Sequence, residues 1–333
     1  MILVTGAAGH IGNVLVRELL QRGEPVRALV LPGEDITSLS GLPVELSYGD
    51  VLHPDTLTPA FEGVEYVYHL AGIISIQPGM QAFMRQVNVE GTRNVLSAAR
   101  HAKVRRLVYT SSIHALGRPP RGTTITESQR FDVHNPAGPY DRSKAEASLE
   151  VLQAVREGLD AVIICPTGVI GPHDYRGSEM GAVLSAFLRH RWSVLVDGMF
   201  DFVDVRDVAR GHILACERGR QGETYILGNE RVSAVWLWAT VRDATGLRSQ
   251  TLVLPLRLAR LVASLALQYA RMVHRTAVFT PYALETLNSS SNVSHDKALR
   301  ELGYQPRSLV DTVRDTVRWW QEHGNGRGSY KFV

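Results

Sequence analysis

The sequence predicts an α/β protein built on a doubly wound parallel sheet. Three observations carry this. The chain opens on a short apolar run, Ile2-Leu3-Val4, that suits a strand buried on both faces. A glycine-spaced turn follows at once, Gly6-Ala-Ala-Gly9-His-Ile-Gly12, and Val14, Leu15, Leu19 and Leu20 behind it have helical spacing. Further strand-like runs at 26–31, 44–48, 64–69 and 107–112 are separated by helical patterns, the alternation of a parallel sheet.

At 333 residues the chain can bury about three quarters of its unfolded surface without disulfides. Hydrophobic residues make up 44% and charged residues 21%, the balance of a globular protein. The net charge is only +3, with no lysine/arginine block and no basic patch interleaved with aromatics, so nucleic acid is not an expected partner. Cys165 and Cys216 lie in apolar stretches and lack metal-ligand spacing; buried thiols in a reducing compartment, and no metal, are expected. No signal-peptide pattern precedes the first strand, and no apolar run approaches the ~20 residues of a membrane span. The expected location is cytoplasmic.

In the opening turn, Gly6 allows a tight bend and Gly9 a close approach of backbone to ligand. Gly12 removes a side chain where the helix packs on the sheet. The helix N-terminus then aims free N–H groups and a partial positive charge at the space above the turn, a fit for a pyrophosphate. Ala8, His10 and Ile11 flank that space. A glycine-rich turn is also an ordinary strand–helix joint, but the strand before it and the helix behind it favour the nucleotide. Strand 26–31 ends where the adenosine ribose would lie. An acid there would accept from the ribose hydroxyls, and an arginine would favour a 2′-phosphate. The chain has Leu31, then Pro32-Gly33-Glu34-Asp35, and the two acids tilt the expectation from NADP to NAD. Arg27 is expected as an exposed strand residue.

Strand 44–48 ends in Gly49-Asp50-Val51. Asp50 is either an acceptor for the adenine amino group or a cap for a helix over 55–61. Strand 64–69 leads into Leu70-Ala71-Gly72, small enough to lie against the cofactor, and His69 reads as a satisfied core residue. A long helix is expected over 80–102, with Asn88 buried and hydrogen-bonded. Strand 107–112 ends in the hydroxyls of Thr110, Ser111 and Ser112, and 117–139 reads as a loop.

Pro139-Tyr140-Asp141-Arg142-Ser143-Lys144 opens the next helix, and Tyr140 and Lys144, four apart, share a face. A free tyrosine titrates near pH 10, too high for efficient proton transfer at neutral pH; a nearby ammonium favours the phenolate. Ser112 would polarise a substrate carbonyl, Tyr140 would donate the proton, and Lys144 would also bind the nicotinamide ribose. Tyr-x-x-x-Lys alone is common on helix surfaces. The order of glycine turn, Ser112, Tyr140 and Lys144 is much harder to reach by chance.

With these residues in view, the sequence resembles the extended short-chain dehydrogenase/reductase family, also called the NAD-dependent epimerase/dehydratase family. The resemblance rests on Thr5-Gly-Ala-Ala-Gly-His-Ile-Gly12, Gly49-Asp50-Val51, His69-Leu-Ala-Gly72, Asn88-Val-Glu-Gly-Thr92, Thr110-Ser-Ser112, Tyr140-x-x-x-Lys144, Pro166-Thr-Gly-Val-Ile-Gly-Pro172 and Phe202-Val-Asp-Val-Arg-Asp-Val-Ala209. It implies a seven-stranded parallel Rossmann sheet with a smaller C-terminal substrate domain, and NAD or NADP as cofactor. The implied division is a nucleotide-binding domain over 1–170, with returning segments at about 200–228, and a substrate-binding domain from 171–199 and 229–325. The resemblance also implies catalytic roles for Ser112, Tyr140 and Lys144, and cofactor contacts from Gly6, Ala8, Gly9, His10, Ile11, Gly12, Leu31, Asp50, Val51, Leu70, Ala71, Gly72, Thr110, Tyr140, Lys144, Pro166 and Val169. Tyr109-Thr-Ser-Ser-Ile113 and the segment Phe202 to Asp207 resemble the dihydroflavonol reductase and 3β-hydroxysteroid dehydrogenase branch, whose reductases often carry Arg where Leu31 stands. Sugar-nucleotide epimerases usually carry Asn near the position of Thr167. Relatives often dimerise through helices that would here be 80–102 and 140–157, so a homodimer is implied.

Beyond Pro172, 173–178 reads as a solvated connection and 180–190 as a helix. Trp192, Phe200, Phe202, Trp236 and Trp238 offer apolar area for a ring-bearing carbonyl or alcohol. Residues 256–275 carry an arginine stripe (Arg257, Arg260, Arg271, Arg275) on an otherwise apolar pattern. The reading is a helix covered by protein, with an amphipathic membrane-surface helix as the alternative. A helix from 294 stops at Gly303, and a last one runs over 309–322. The function expected is an NAD(P)-dependent oxidoreductase acting on a bulky, mostly apolar ketone, aldehyde or secondary alcohol. The alternatives are a nucleotide-sugar epimerase or dehydratase and a non-catalytic dinucleotide sensor.

Overall fold

The computed structural model describes residues 1–74, 79–120, 122–189, 192–196, 198–246, 250–255, 258 and 292–323. Strand β1 (Ile2–Thr5), buried along its length, leads through the glycine turn into helix α1 (His10–Gln21). β2 (Val26–Val30), β3 (Glu45–Tyr48), α2 (Pro54–Ala60) and β4 (Tyr66–His69) follow. Next come α3 (Gln81–Arg85), a π-turn (Gln86–Glu90), α4 (Gly91–His101) and β5 (Arg106–Thr110). A 3₁₀ turn (Ile113–Ala115) and the short β6 (Thr124–Ile125) precede α5 (Pro139–Arg156), β7 (Ala161–Pro166) and β8 (Gly168–Ile170). The chain continues through α6 (Glu179–Arg189), β9 (Trp192–Val196), β10 (Met199–Asp204), α7 (Val205–Arg218), β11 (Thr224–Leu227), β12 (Glu230–Ser233) and α8 (Ala234–Thr245). β13 (Gln250–Leu254), β14 (Asn292–Val293), α9 (Asp296–Leu302) and α10 (Leu309–His323) close it.

Seven strands form one sheet in the order β11-β7-β5-β4-β1-β2-β3, and every neighbouring pair is parallel. This is the Rossmann arrangement that the resemblance implied. Strand order reverses between β1 and β4, so the crevice at their C-terminal ends is the place where such sheets bind ligands. One face is covered by α1, α7 and α9 through Val14, Leu15, Val208, Ile213 and Leu302. The other is covered by α2, α4 and α5 through Leu57, Val95, Leu96 and Val151. A smaller unit joins β8, β10 and β12 to α6, α8 and α10 over Leu184, Phe202, Trp238 and Val313.

Four local readings change. The helix expected over 80–102 is broken by the π-turn at Gln86–Glu90, because the Asn88 side chain is bound sideways to chain outside the helix. The 117–139 loop contains β6, which pairs in parallel with β14, a partner far along the chain that local periodicity does not reveal. Segment 173–178 is not a solvated connection: Asp174 is buried, its carboxylate accepts from Ser178, and Asn13 donates to the carbonyl of His173. Arg27 is 13% exposed rather than surface-lying, paired with Glu45 and donating to the carbonyls of Ala60 and Glu62. The helix expected over 256–275 lies outside the described residues except for Leu258. Among the described residues no helix is long and apolar enough to cross a membrane.

Candidate active site

The glycine turn and the strip after β4 are pressed together at the crevice. Gly6 has φ +67°, and a Cβ there would sit 2.7 Å from the amide nitrogen of Ala71. A Cβ on Gly12 would come within 2.1 Å of the Gly6 carbonyl oxygen, so the first turn of α1 closes only with glycine. Leu70 N–H donates to the Thr5 carbonyl and Ala71 N–H to Thr5 Oγ1, which fixes the strip to β1. A helix N-terminus without a side-chain cap thus faces a wall of bare backbone. That combination fits a dinucleotide pyrophosphate, with Ala8, Gly9, His10 and Ile11 at the lip and Gly72 beside Lys144.

A hydrogen-bonded chain runs beneath this surface. Thr92 Oγ1 donates to the Asn88 carbonyl (2.6 Å), so it accepts from His69 Nε2 (3.0 Å). His69 Nδ1 then accepts from Thr5 Oγ1 (2.8 Å), which makes the histidine neutral with its proton on Nε2. Burial, followed by the charge of Lys144, holds its pKa down at about 3. Asn88 sits in the π-turn and clamps both sides of the crevice. Its amide nitrogen donates to the Ile73 carbonyl (3.0 Å) and to Ser143 Oγ (3.0 Å), and its oxygen accepts from Ile73 N–H (2.8 Å). Ser143 in turn donates to the Tyr140 carbonyl, so Asn88 reaches the turn of α5 that carries Tyr140 and Lys144.

β5 ends at Thr110, two residues before the expected limit, and Ser112 begins the 3₁₀ turn. Ser112 Oγ accepts from His114 N–H (3.2 Å) through a lone pair, leaving the hydroxyl proton for an acceptor in the crevice. Tyr140 and Lys144 are buried on the first turns of α5. Lys144 Nζ donates to the Thr110 carbonyl (2.7 Å) and lies 3.5 Å from the Tyr109 hydroxyl. Burial pushes its pKa down to about 8. Thr110 Oγ1 bonds to His212 (2.7 Å), behind the sheet end. The three candidate catalytic residues therefore share one strand edge and the helix packed on it.

The remaining candidates divide. Val51 is buried, held by Asn94 Nδ2 on its carbonyl. Asp50 does not cap α2, whose N-cap is His53; it lies three residues before that cap, and its Oδ1 accepts from Leu52 N–H. Leu31 is 45% exposed at the end of β2. Pro166 closes β7, and Val169 is half-buried on β8. Phe200, Met199, Ile113 and Leu116 line a cavity of about 40 Å³ beside Thr167 and His114. A larger groove of about 500 Å³ between α4 and α5 is walled by Arg93, Arg100, Glu150 and Glu157 and contains none of the candidate residues.

Sequence reasoning singled out Asn88 as buried but assigned it no place in the site. It weighed Glu34 only together with Asp35, as one of two acids after Leu31, and gave no role to His114 or Asp141. A polar residue amid Phe83, Met84 and Val87 was a signal for Asn88. None existed for Arg176, which pairs with Glu34 from a distant loop.

Comparison with known proteins accords with this geometry. The model of the NAD dependent epimerase/dehydratase family matches residues 2–228. The chain is 37% identical to sterol demethylase protein B of Methylococcus capsulatus, covering 97% of this chain and 98% of that one. It is 31% identical to 4-hydroxy-2-methyl-3-oxo-4-farnesyl-3,4-dihydroquinoline-1-oxide ketoreductase of Stigmatella aurantiaca, covering 97% of each. The crystal structure of gox2253 superposes with a TM-score of 0.86 at 35% identity, covering 98% of this chain and 99% of that one. The chain belongs to the NAD-dependent epimerase/dehydratase family, the extended short-chain dehydrogenases/reductases, and is an NAD(P)-dependent oxidoreductase.

Proposed function

We propose that this chain moves a hydride between NAD and a bulky, mostly apolar ketone, aldehyde or secondary alcohol. The observation that supports the reading is that Lys144, one helical turn after Tyr140 on α5, donates to the Thr110 carbonyl at the strand end that leads into Ser112, whose neighbours Ile113 and His114 line a cavity with largely apolar walls. When bound, the nicotinamide supplies or accepts the hydride at the carbon. Ser112 donates to the substrate oxygen and orients it. Tyr140 gives that oxygen its proton in reduction and takes it in oxidation. The Lys144 ammonium favours the Tyr140 phenolate and donates to the ribose hydroxyls. Asn88 holds the strip 70–74 and the first turns of α5 at a fixed separation. The names of the sterol and farnesyl-quinoline relatives support a large apolar substrate.

NAD is favoured by Glu34. It folds back so that Oε2 accepts from Leu31 N–H (2.9 Å), while Arg176 pairs with its other oxygen. A carboxylate thus stands at the end of β2, although leucine occupies that position. It would accept from a ribose hydroxyl and repel a 2′-phosphate.

The test is a thermal-shift titration with NAD, NADH, NADP and NADPH, then absorbance at 340 nm on steroid-like and aromatic carbonyls and alcohols. NAD or NADH should stabilise the fold more than the phosphorylated forms. Tyr140→Phe should abolish turnover and leave dinucleotide affinity within about two-fold, because only the proton-transfer group is removed. Turnover surviving in Tyr140→Phe would refute the proton-donor role; a larger shift with NADPH would refute the Glu34 reading. A homodimer through α4 and α5 is part of the proposal, and a monomeric mass by analytical ultracentrifugation would end it.

A further inference from the structure

Asp141 is the least compensated charge near the site. It is 0% exposed, and neither carboxylate oxygen accepts a hydrogen bond. A buried carboxylate in this condition is costly unless a cation faces it. Among the described residues, Arg118 Nη2 lies 3.9 Å from Oδ1, and His114 Nδ1, which is a cation only when the ring is doubly protonated, lies 3.4 Å from the same oxygen. A small rotation of the imidazole would close a hydrogen bond to Asp141. The other face of this arrangement is Tyr140, the preceding residue. The His114 ring meets the Tyr140 ring edge-on, with centroids 6.3 Å apart and planes at 65°. It stacks on Phe200 at 5.8 Å and 15°, so its plane is held from a second side. Its backbone N–H is the donor to Ser112 Oγ. His114 lines the cavity and its side chain is 19% exposed, so it spans the distance from Tyr140 to solvent. The charged and titratable groups around it are Asp141 and Tyr140 from α5, Arg118 from the loop after β5 and Asp201 from the cavity wall on β10.

We propose that His114 replaces the proton Tyr140 spends in each turnover, and that Asp141 is the positioning residue that fixes the imidazole for this. With Nδ1–H given to Asp141, Nε2 on the opposite edge of the ring is the nitrogen that exchanges protons. Once the hydride has reached the carbonyl carbon, the carbonyl oxygen takes the phenolic proton, and Tyr140 is left as phenolate. Nε2 of the neutral imidazole takes a proton from solvent and passes it to the phenolate oxygen, which leaves His114 with its proton on Nδ1. In oxidation the same protons move outward. The sum is one hydride and one proton per carbonyl, with His114 and Tyr140 returned unchanged. The proposal rests on the reading of Tyr140 as proton donor.

The test is His114→Ala, with His114→Gln as a second variant that keeps bulk and polarity, and Asp141→Asn. In His114→Ala, kcat should fall by about a hundred-fold, the low end of what a positioned acid–base group contributes, because His114 acts through Tyr140. Dinucleotide Kd should stay within about two-fold, since His114 acts on the proton and not on binding. Added imidazole, entering the vacated space, should restore kcat several-fold in His114→Ala and not in His114→Gln, whose side chain fills it. Nitrogen NMR of the dinucleotide-free protein should place the His114 proton on Nδ1 and show that preference lost in Asp141→Asn. A kcat within about two-fold of wild type in both His114 variants, or a loss that imidazole leaves untouched, overturns the proposal. An NMR spectrum unchanged in Asp141→Asn removes Asp141 from it. Turnover surviving in Tyr140→Phe is a different failure, that of the proton donor itself.

Discussion

Asn88→Ala separates the two halves of the site, and its cost follows from the bonds it makes. The substitution deletes three side-chain hydrogen bonds, two to the backbone of Ile73 and one to Ser143 Oγ. A hydrogen bond contributes about 1 kcal/mol net, and a buried group left unpaired costs about 1–3 kcal/mol. Ile73 is only half-buried, so water satisfies part of what is lost there. The expected destabilisation is about 2–3 kcal/mol. For 333 residues at roughly 2.1 cal/mol/K each, the unfolding entropy is about 0.7 kcal/mol/K, so Tm should fall by about 3–4 °C. Loosening the strip 70–74, which faces the glycine turn, should weaken dinucleotide binding about ten-fold, the equivalent of 1.4 kcal/mol. It should also lower kcat, because Ser143 no longer ties α5 to that strip. Urea unfolding, calorimetric titration with NAD and steady-state kinetics measure the three quantities. A lower Tm with unchanged Kd and kcat would show that Asn88 only stabilises the fold, and an unchanged Tm would refute the hydrogen-bond reasoning itself.

Two more expectations follow from the same geometry. Gly12→Ala places a methyl 2.1 Å from the Gly6 carbonyl oxygen, so the turn must open and dinucleotide-induced thermal stabilisation should vanish; a retained shift would refute the pyrophosphate cradle. His69 and His212 are held by burial at about 3 and about 4, below the ~6.5 of an unfolded histidine. The native state therefore binds fewer protons than the unfolded state over this range. The stability these residues contribute is complete above about pH 6.5 and declines as pH falls toward 4 and then 3. At pH 5 each should have cost about 2 kcal/mol, at 1.36 kcal/mol per pH unit. Equal unfolding free energies at pH 7 and pH 5 would refute the neutral state of both.

Much of the nucleotide half is visible in the sequence because its determinants are local. The three glycines of the first turn, the apolar runs of β1, β2 and β4, and the spacing of Tyr140 and Lys144 are each set by neighbours within a few residues. Backbone sterics and side-chain periodicity act over that range. Strand order was available through the resemblance, which carries the tertiary result inside its motifs. The His69 reading holds for a similar reason: a histidine at a buried strand end must be satisfied, whichever partners it finds.

The rest was decided by contacts between residues far apart in the chain. Glu34 stands at the end of β2 because the chain folds back on Leu31 N–H and Arg176 arrives from 142 residues away. Segment 173–178 is tied to α1, with Asp174 buried, because Asn13 donates to the His173 carbonyl. The π-turn forms because Asn88 finds Ile73 and Ser143 on either side. Asp141 becomes a charge in need of a partner only when α5 packs on the 3₁₀ turn and brings His114 to it. A sequence pattern determines which face of an element is apolar, since that depends on periodicity alone. It does not determine which polar group meets which across the crevice. That depends on how rigid elements pack, and low-dielectric burial then gives those few encounters their electrostatic weight.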